Sequence, residues 1–177
     1  MSARFAPLMI ACGVLGGLSA SEAQQATPGN PLDAIPERMP FDVPYGAPIT
    51  LERALAAIAA AVSEARKHDW KLNVAVVDSG GNLVAFERMD GAQLASIQVS
   101  EHKARASVMY RRETKAFENA IQQSNYNYVL TLDGVIGSRG GIPLVDSGKL
   151  IGAIGCSGGT GSQDEAVCNA GAAALKR

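Results

Sequence analysis

Hydrophobic positions in the second half of the first hundred residues recur at two different periods. Leu51, Leu55, Ile58, Val62 and Ala65 follow one another at three- and four-residue steps, with Glu52, Arg53, Glu64 and Arg66 mostly off that stripe, and Thr50 stands where a capping hydroxyl is needed. This spacing predicts an amphipathic helix. Leu72 to Val77 is then a run of β-formers, Asp78-Ser79-Gly80-Gly81-Asn82 supplies turn chemistry, and Leu83 to Phe86 is a second such run, which together predict a hairpin. From about Leu94 to Gln123 there is neither Gly nor Pro, and Leu94, Ile97, Glu101, Ala104 and Val108 keep helical spacing. One long helix or two shorter ones fit this segment, with an end at Asn125 to Asn127.

Beyond Leu130 the chain is punctuated by glycine, at Gly134, Gly137, Gly140 and Gly141, before an apolar run from Ile142 to Val145. There the earlier pattern returns: Val145-Asp146-Ser147-Gly148-Lys149-Leu150-Ile151 echoes Val77-Asp78-Ser79-Gly80-Gly81-Asn82-Leu83-Val84. A second hairpin follows, with its return strand over Leu150 to Cys156, and the alanine-rich segment from Gln163 to Lys176 closes the chain as a helix. Two hairpins among helices predict an α/β domain of the α+β type, with an antiparallel sheet flanked by helices. A parallel doubly wound sheet is excluded, because parallel neighbours need a crossover of a dozen or more residues.

The N-terminus changes the picture of where this domain works. Arg4 precedes an apolar stretch from Phe5 to Leu18, and Ser21-Glu22-Ala23 places small residues where signal peptidase reads them. Residues 1–23 are read as a signal peptide, Gln24 as the mature N-terminus, and the compartment as periplasmic or extracellular. The stretch is short for a bilayer span, and Met9-Ile10-Ala11 before Cys12 makes a poor lipobox. Residues 24–48 carry six of the eight prolines with little periodicity between them, which predicts an extended arm or linker and a domain over 49–177. Lys plus Arg (16) nearly balances Asp plus Glu (17) in 177 residues, so no basic field exists to attract a phosphate backbone and nucleic acid is not an expected partner.

Candidate chemistry is sparse. Removal of Cys12 leaves Cys156 and Cys168 in an oxidising compartment, where they are either a disulfide or two small buried apolar side chains. The stretch Gly155-Cys156-Ser157-Gly158-Gly159-Thr160-Gly161 lies between a strand and a helix but lacks the lysine of a phosphate loop, so a plain turn is the leading reading and an anion site the lesser one. His68 and His102 are the only histidines, which excludes a three-imidazole metal centre within one chain. His68 ends the first helix, where an imidazolium suits the helix dipole. No nucleophile elbow and no acid–base constellation stand out.

Taken together, several segments resemble the ordered signature of the GlcG/HbpS family: Val74 to Val84, Arg88-Met89-Asp90-Gly91-Ala92, Lys103-Ala104, Thr114 with Phe117, Gly140 to Leu144, Ile151 to Gly155 with Ser157-Gly158, and Gln163-Asp164-Glu165. The resemblance spans roughly residues 50 to 175. It implies a profilin-like domain with a roughly five-stranded antiparallel sheet, assembly into homo-oligomers, and haem as the cofactor, with relatives linked to tetrapyrroles through corrinoid enzymes. Cys156 and Cys168 depart from the commoner pattern, and His102 is not itself part of the signature.

On that footing the expected ligand is haem or a related tetrapyrrole, in a pocket between the long helix and the segment from Arg139 to Pro143. His102 is the first choice for the iron ligand, since imidazole is a common haem donor, with Thr114 and Tyr110 as weaker candidates on the same helix. Arg88, Lys103 and Arg139 are cations suited to propionates, although an Arg88–Asp90 pair holding a turn explains the first equally well. Gly140 and Gly141 permit a close ligand approach. The alternative is an enzyme or accessory protein for a small organic acid, using the same cations and the glycine loop as a carboxylate cradle; a ligand-free oligomeric scaffold is the third reading.

Overall fold

The computed structural model describes residues 32, 34–39 and 41–175; the expected signal peptide, the start of the arm and the last two residues lie outside the described residues. Residues from Arg38 onward form one compact body. Its elements are α1 (Leu51–Lys67), β1 (Asn73–Asp78), β2 (Leu83–Arg88), α2 (Ala95–Met109), α3 (Lys115–Gln122), a 3-10 turn (Asn127–Thr131), β3 (Gly141–Asp146), β4 (Lys149–Ser157) and α4 (Gly161–Ala173).

The strands form an antiparallel sheet in the order β2-β1-β4-β3, so the two hairpins lie side by side, joined through β1 and β4. Alternation along the strands sends Val74, Val76, Ile154 and Cys156 toward α1 and α4, where Ala57, Ile58, Ala61, Val62 and Val167 complete the larger core. Val77, Leu150 and Ala153 face the other way, against Ala104 and Val108 of α2. Burying a Val, Leu or Ile side chain in this way stabilises the fold by about 1.5–3 kcal/mol. α2 sits very close to the sheet because Gly155 has no Cβ: one placed there would run into the Ser100 carbonyl and approach the Ala104 nitrogen to 2.6 Å.

Among the described residues the sheet has four strands, not the roughly five that the family resemblance implies. Instead, the end of the proline-rich arm lies against β4 without becoming a strand. Tyr45 makes an isolated parallel bridge to Leu150, the Gly46 N–H donates to the Leu150 carbonyl at 2.7 Å, and the Leu150 N–H donates to Pro44 at 2.8 Å. Pro44 and Pro48 have no N–H to offer, which prevents the ladder from extending. The Tyr45 hydroxyl reaches the last carbonyls of α2, Val108 at 3.1 Å and Met109 at 3.0 Å.

The glycine- and proline-free segment is two helices. α2 ends at Met109 with Tyr110 as its cap, Arg111 takes a positive φ of 54°, and α3 starts after Thr114. Thr114 does not cap α3 with its hydroxyl; the Gly141 N–H donates to that oxygen at 2.9 Å. The glycine loop before α4 is a capped turn. Thr160 and Gln163 form a reciprocal capping box, worth about 1 kcal/mol for the hydroxyl alone. Cys156 and Cys168 are joined in a disulfide, with Cα atoms 5.6 Å apart. Cys168 lies two turns into α4, rather than the single turn that a helix starting at Gln163 gives.

Candidate functional site

α2 carries two adjacent residues with opposite fates. Lys103 lies in the middle of the helix rather than at its end, and its side chain is 1 % exposed. Its ammonium donates to Asp164 Oδ2 at 2.7 Å and to the Cys156 carbonyl at 3.1 Å. Asp164, at the start of α4, also accepts from the Gly159 N–H at 3.0 Å. Burial pushes the Asp164 carboxyl up from its ordinary value, and the Lys103 charge offsets this only in part. Lys103 therefore presents no charge to a propionate.

The neighbouring His102 points the other way. It is half-buried at the border between α2 and the loop after the 3-10 turn, and its Nε2 lies 3.1 Å from the Gly134 carbonyl. A carbonyl can only accept, so Nε2 is the donor in this contact, and in the neutral ring the lone pair is then on Nδ1. Metal-binding imidazoles are oriented by this kind of second hydrogen bond. Tyr110, two turns on, donates its hydroxyl to the Asp133 carbonyl at 2.6 Å, so both side chains hold the same loop. The chain leading into that loop exposes Tyr128 (50 %), Leu130 (64 %) and Leu132 (39 %).

The other expected site residues are not brought to His102. Thr114 is fully buried under Gly141. Arg139 is clamped by Glu118 at 2.6 Å and reaches Glu165 at 3.4 Å, and the Glu118 hydrogen bonds hold the guanidinium above its ordinary pKa and the carboxylate below its own. Arg88 is exposed at the end of β2. Gly140 has φ +110°, and a Cβ there would meet Asp164 Cβ at 2.9 Å and Lys103 Nζ at 3.2 Å. At Gly141 a Cβ would collide with the Lys103 carbonyl and meet Thr114 Cγ2 at 2.6 Å. Around Gly140 and Gly141 the space between α2 and this segment is occupied by Lys103, Thr114 and Asp164, so the two glycines admit backbone and side chains of the protein itself. The amides of the glycine loop are likewise taken internally, Gly159 by Asp164 and Thr160 by Gln163 at 2.8 Å.

The profile of the family described as haem degrading protein HbpS-like matches residues 49–173. The chain belongs to the HbpS-like family. Protein GlcG of Escherichia coli K12 is 40% identical over 109 residues, 62% of this HbpS-like chain and 81% of GlcG. A double mutant of Streptomyces reticuli HbpS superposes with a TM-score of 0.68 at 30% identity, covering 81% of this chain and 98% of that one. The crystal structure of a PduOC:heme complex superposes at 0.66 and 26% identity, covering 73% and 96%. The corrinoid adenosyltransferase PduO of Salmonella typhimurium matches over 119 residues at 32% identity, 66% of this chain but only 35% of PduO.

Two side chains near sites of possible chemistry escape sequence reasoning. Arg105, one turn after His102, is 46 % exposed and among the described residues is paired only with Glu101 on the helix surface at 3.1 Å; such a pair is weak and leaves the guanidinium available. Arg112 lines a cleft of about 410 Å³ at the free edge of β3, together with Pro143 and Val145 of that strand and Asn169 and Ala172 of α4. Charge alone marks neither residue, since 16 lysines and arginines are spread along the chain. No group of three His, Cys, Asp or Glu able to hold a metal ion occurs among the described residues.

Proposed function

We propose that this chain is an exported haem-binding protein in which His102 supplies the iron ligand from the surface of α2. The observation that carries this reading is the pairing of an imidazole, held through Nε2 by the Gly134 carbonyl so that Nδ1 is left without a protein partner among the described residues, with the exposed Tyr128, Leu130 and Leu132 on the adjoining segment. Apolar side chains at a surface favour a flat apolar ligand, and haem supplies an iron with an axial position for one protein donor. Membership of the HbpS-like family and the likeness to the PduOC:heme complex support the same class of ligand. Arg105 takes the propionate role that Lys103 and Arg139, held in internal ion pairs, leave open. A disulfide fits an oxidising compartment and so supports export, and assembly into a homo-oligomer is part of the reading.

Hemin titration tests it. The full chain should give a saturable Soret change; His102→Ala should shift the maximum and weaken binding, while His68→Ala should change little because His68 is engaged with Glu64 and stacked on Trp70. Absence of a saturable Soret change in the wild type would remove the haem reading. Intact mass of protein secreted by its own host checks processing, with Gln24 the expected first residue, and light scattering that gives the mass of one chain would contradict assembly.

A further inference from the structure

We propose a second ligand site, separate from His102: the cleft at the free edge of β3 binds an aliphatic carboxylate, with its charged end on Arg112. Arg112 follows the C-terminal cap of α2, where its guanidinium carbon lies 3.2 Å from the centroid of the Phe41 ring and 5.4 Å from that of Phe117. Its Nε donates to the Tyr110 carbonyl at 3.0 Å, and the terminal nitrogens make no hydrogen bond or ion pair among the described residues. In this respect Arg112 is unlike Arg139, Arg53 and Arg105, each of which meets a carboxylate. A half-buried guanidinium with Arg111 beside it and no acid partner is held at an electrostatic cost: burial and the Arg111 charge both push its pKa below the ordinary value. A planar fork with two unused N–H pairs is the geometry that a carboxylate meets in bidentate fashion.

The rest of the cleft fits the body of such a ligand. Its walls are aliphatic, from Ile142, Pro143, Val145 and Ala172, and its volume of about 410 Å³ falls in the range of small-molecule sites. A peptide strand is the wrong occupant for this edge. The Gly141 N–H and carbonyl are already taken by Thr114, and Pro143 has no N–H to offer, so the edge cannot continue a ladder. Glu113, an exposed side chain, also lines the cleft, which favours a single carboxylate at Arg112 over a ligand charged at both ends.

Decanoate is the probe, measured by isothermal titration calorimetry on the full chain, with decanamide as its uncharged twin. One site per chain is expected, and decanamide should bind at least about tenfold more weakly, the loss expected for one charge-assisted hydrogen bond. Arg112→Gln should weaken decanoate to a similar degree. Asn169→Trp, at an exposed position of α4 that leaves Arg112 and its ring contacts in place, should abolish binding by filling the cleft. Unchanged far-UV circular dichroism and thermal midpoint in Asn169→Trp separate a blocked cleft from a damaged fold. No saturable heat with decanoate, equal affinity for decanamide, or wild-type affinity in Asn169→Trp would each overturn the proposal. None of these readings depends on haem binding.

Discussion

Lys103 Nζ and Asp164 Oδ2 meet at 2.7 Å inside the domain, both side chains under 5 % exposed, and this contact ties the middle of α2 to the first turn of α4. Together with the Cys156 carbonyl and the Gly159 amide, the pair satisfies polar groups from four segments at once. Removing one member leaves the other charge buried without compensation. Lys103→Met is therefore expected to cost about 3–5 kcal/mol, whereas the double change Lys103→Met with Asp164→Leu should recover most of that loss, because replacing a buried ion pair by apolar side chains is often close to neutral. Urea unfolding of the two variants measures the difference; equal losses would show that the pair is not the tie described.

The disulfide adds a covalent tie at the same place, twelve residues apart in sequence. On the chain-entropy account a loop of this size stabilises by about 3 kcal/mol, mainly by restricting the unfolded chain. Cys168→Ser should accordingly lower the free energy of unfolding by about 3 kcal/mol, and alkylation of the unreduced protein should find no thiol at Cys156 or Cys168. Two alkylated cysteines in secreted material would contradict the bonded state.

Glu118 and Arg139 make a third tie, this one sensitive to pH. Hydrogen bonds from Arg139 hold the Glu118 carboxyl below its ordinary value of 4.5, against the smaller upward push of burial. A carboxyl with a depressed folded-state pKa stabilises the fold fully above its unfolded value, and that contribution is lost as the pH falls through the folded value. Glu118→Gln should thus be less stable than the wild type at pH 7, and the gap in thermal midpoint should narrow steadily below about pH 4.5. A gap independent of pH would show that charge is not what Glu118 contributes.

Elements with strong periodicity were legible in the chain, and the reason is local. The helix predicted from Leu51 to Ala65 is α1, although Leu51 and Leu55 face solvent and Ala54, Ala57 and Ala61 join Ile58, Val62 and Ala65 on the buried face; both Asp-Ser-Gly turns join hairpin strands, because helix and turn preferences act over a few residues. The break between α2 and α3 carries no Gly or Pro to announce it; Arg111 adopts its positive φ where the chain turns, and Thr114 serves Gly141 from 27 residues away. Distance in sequence hides the site as well. Lys103 reads as a cation suited to a propionate until Asp164, 61 residues on, is placed against it, and Arg112 stands out only once it is known to line a cleft without a carboxylate paired to it among the described residues.

Gly141 separates a packing role from a ligand role. Its φ is ordinary, so the objection to a side chain there is collision alone: a Cβ would strike the Lys103 carbonyl and lie 2.6 Å from Thr114 Cγ2. Backbone on one side and a buried threonine on the other leave little room to relax, and Gly141→Ala is expected to cost about 3 kcal/mol, the upper part of the usual overpacking range. Gly148 is the control. It has nothing within 4 Å of a Cβ but a φ of +74°, so Gly148→Ala should cost about 1 kcal/mol from backbone conformation alone. Urea unfolding distinguishes the two, and hemin titration of whatever Gly141→Ala protein folds gives a second reading. If Gly141 instead opens the chain to a ligand, the variant will fold with wild-type stability and lose hemin. If it admits α2, stability will fall, and the folded fraction will bind hemin as the wild type does.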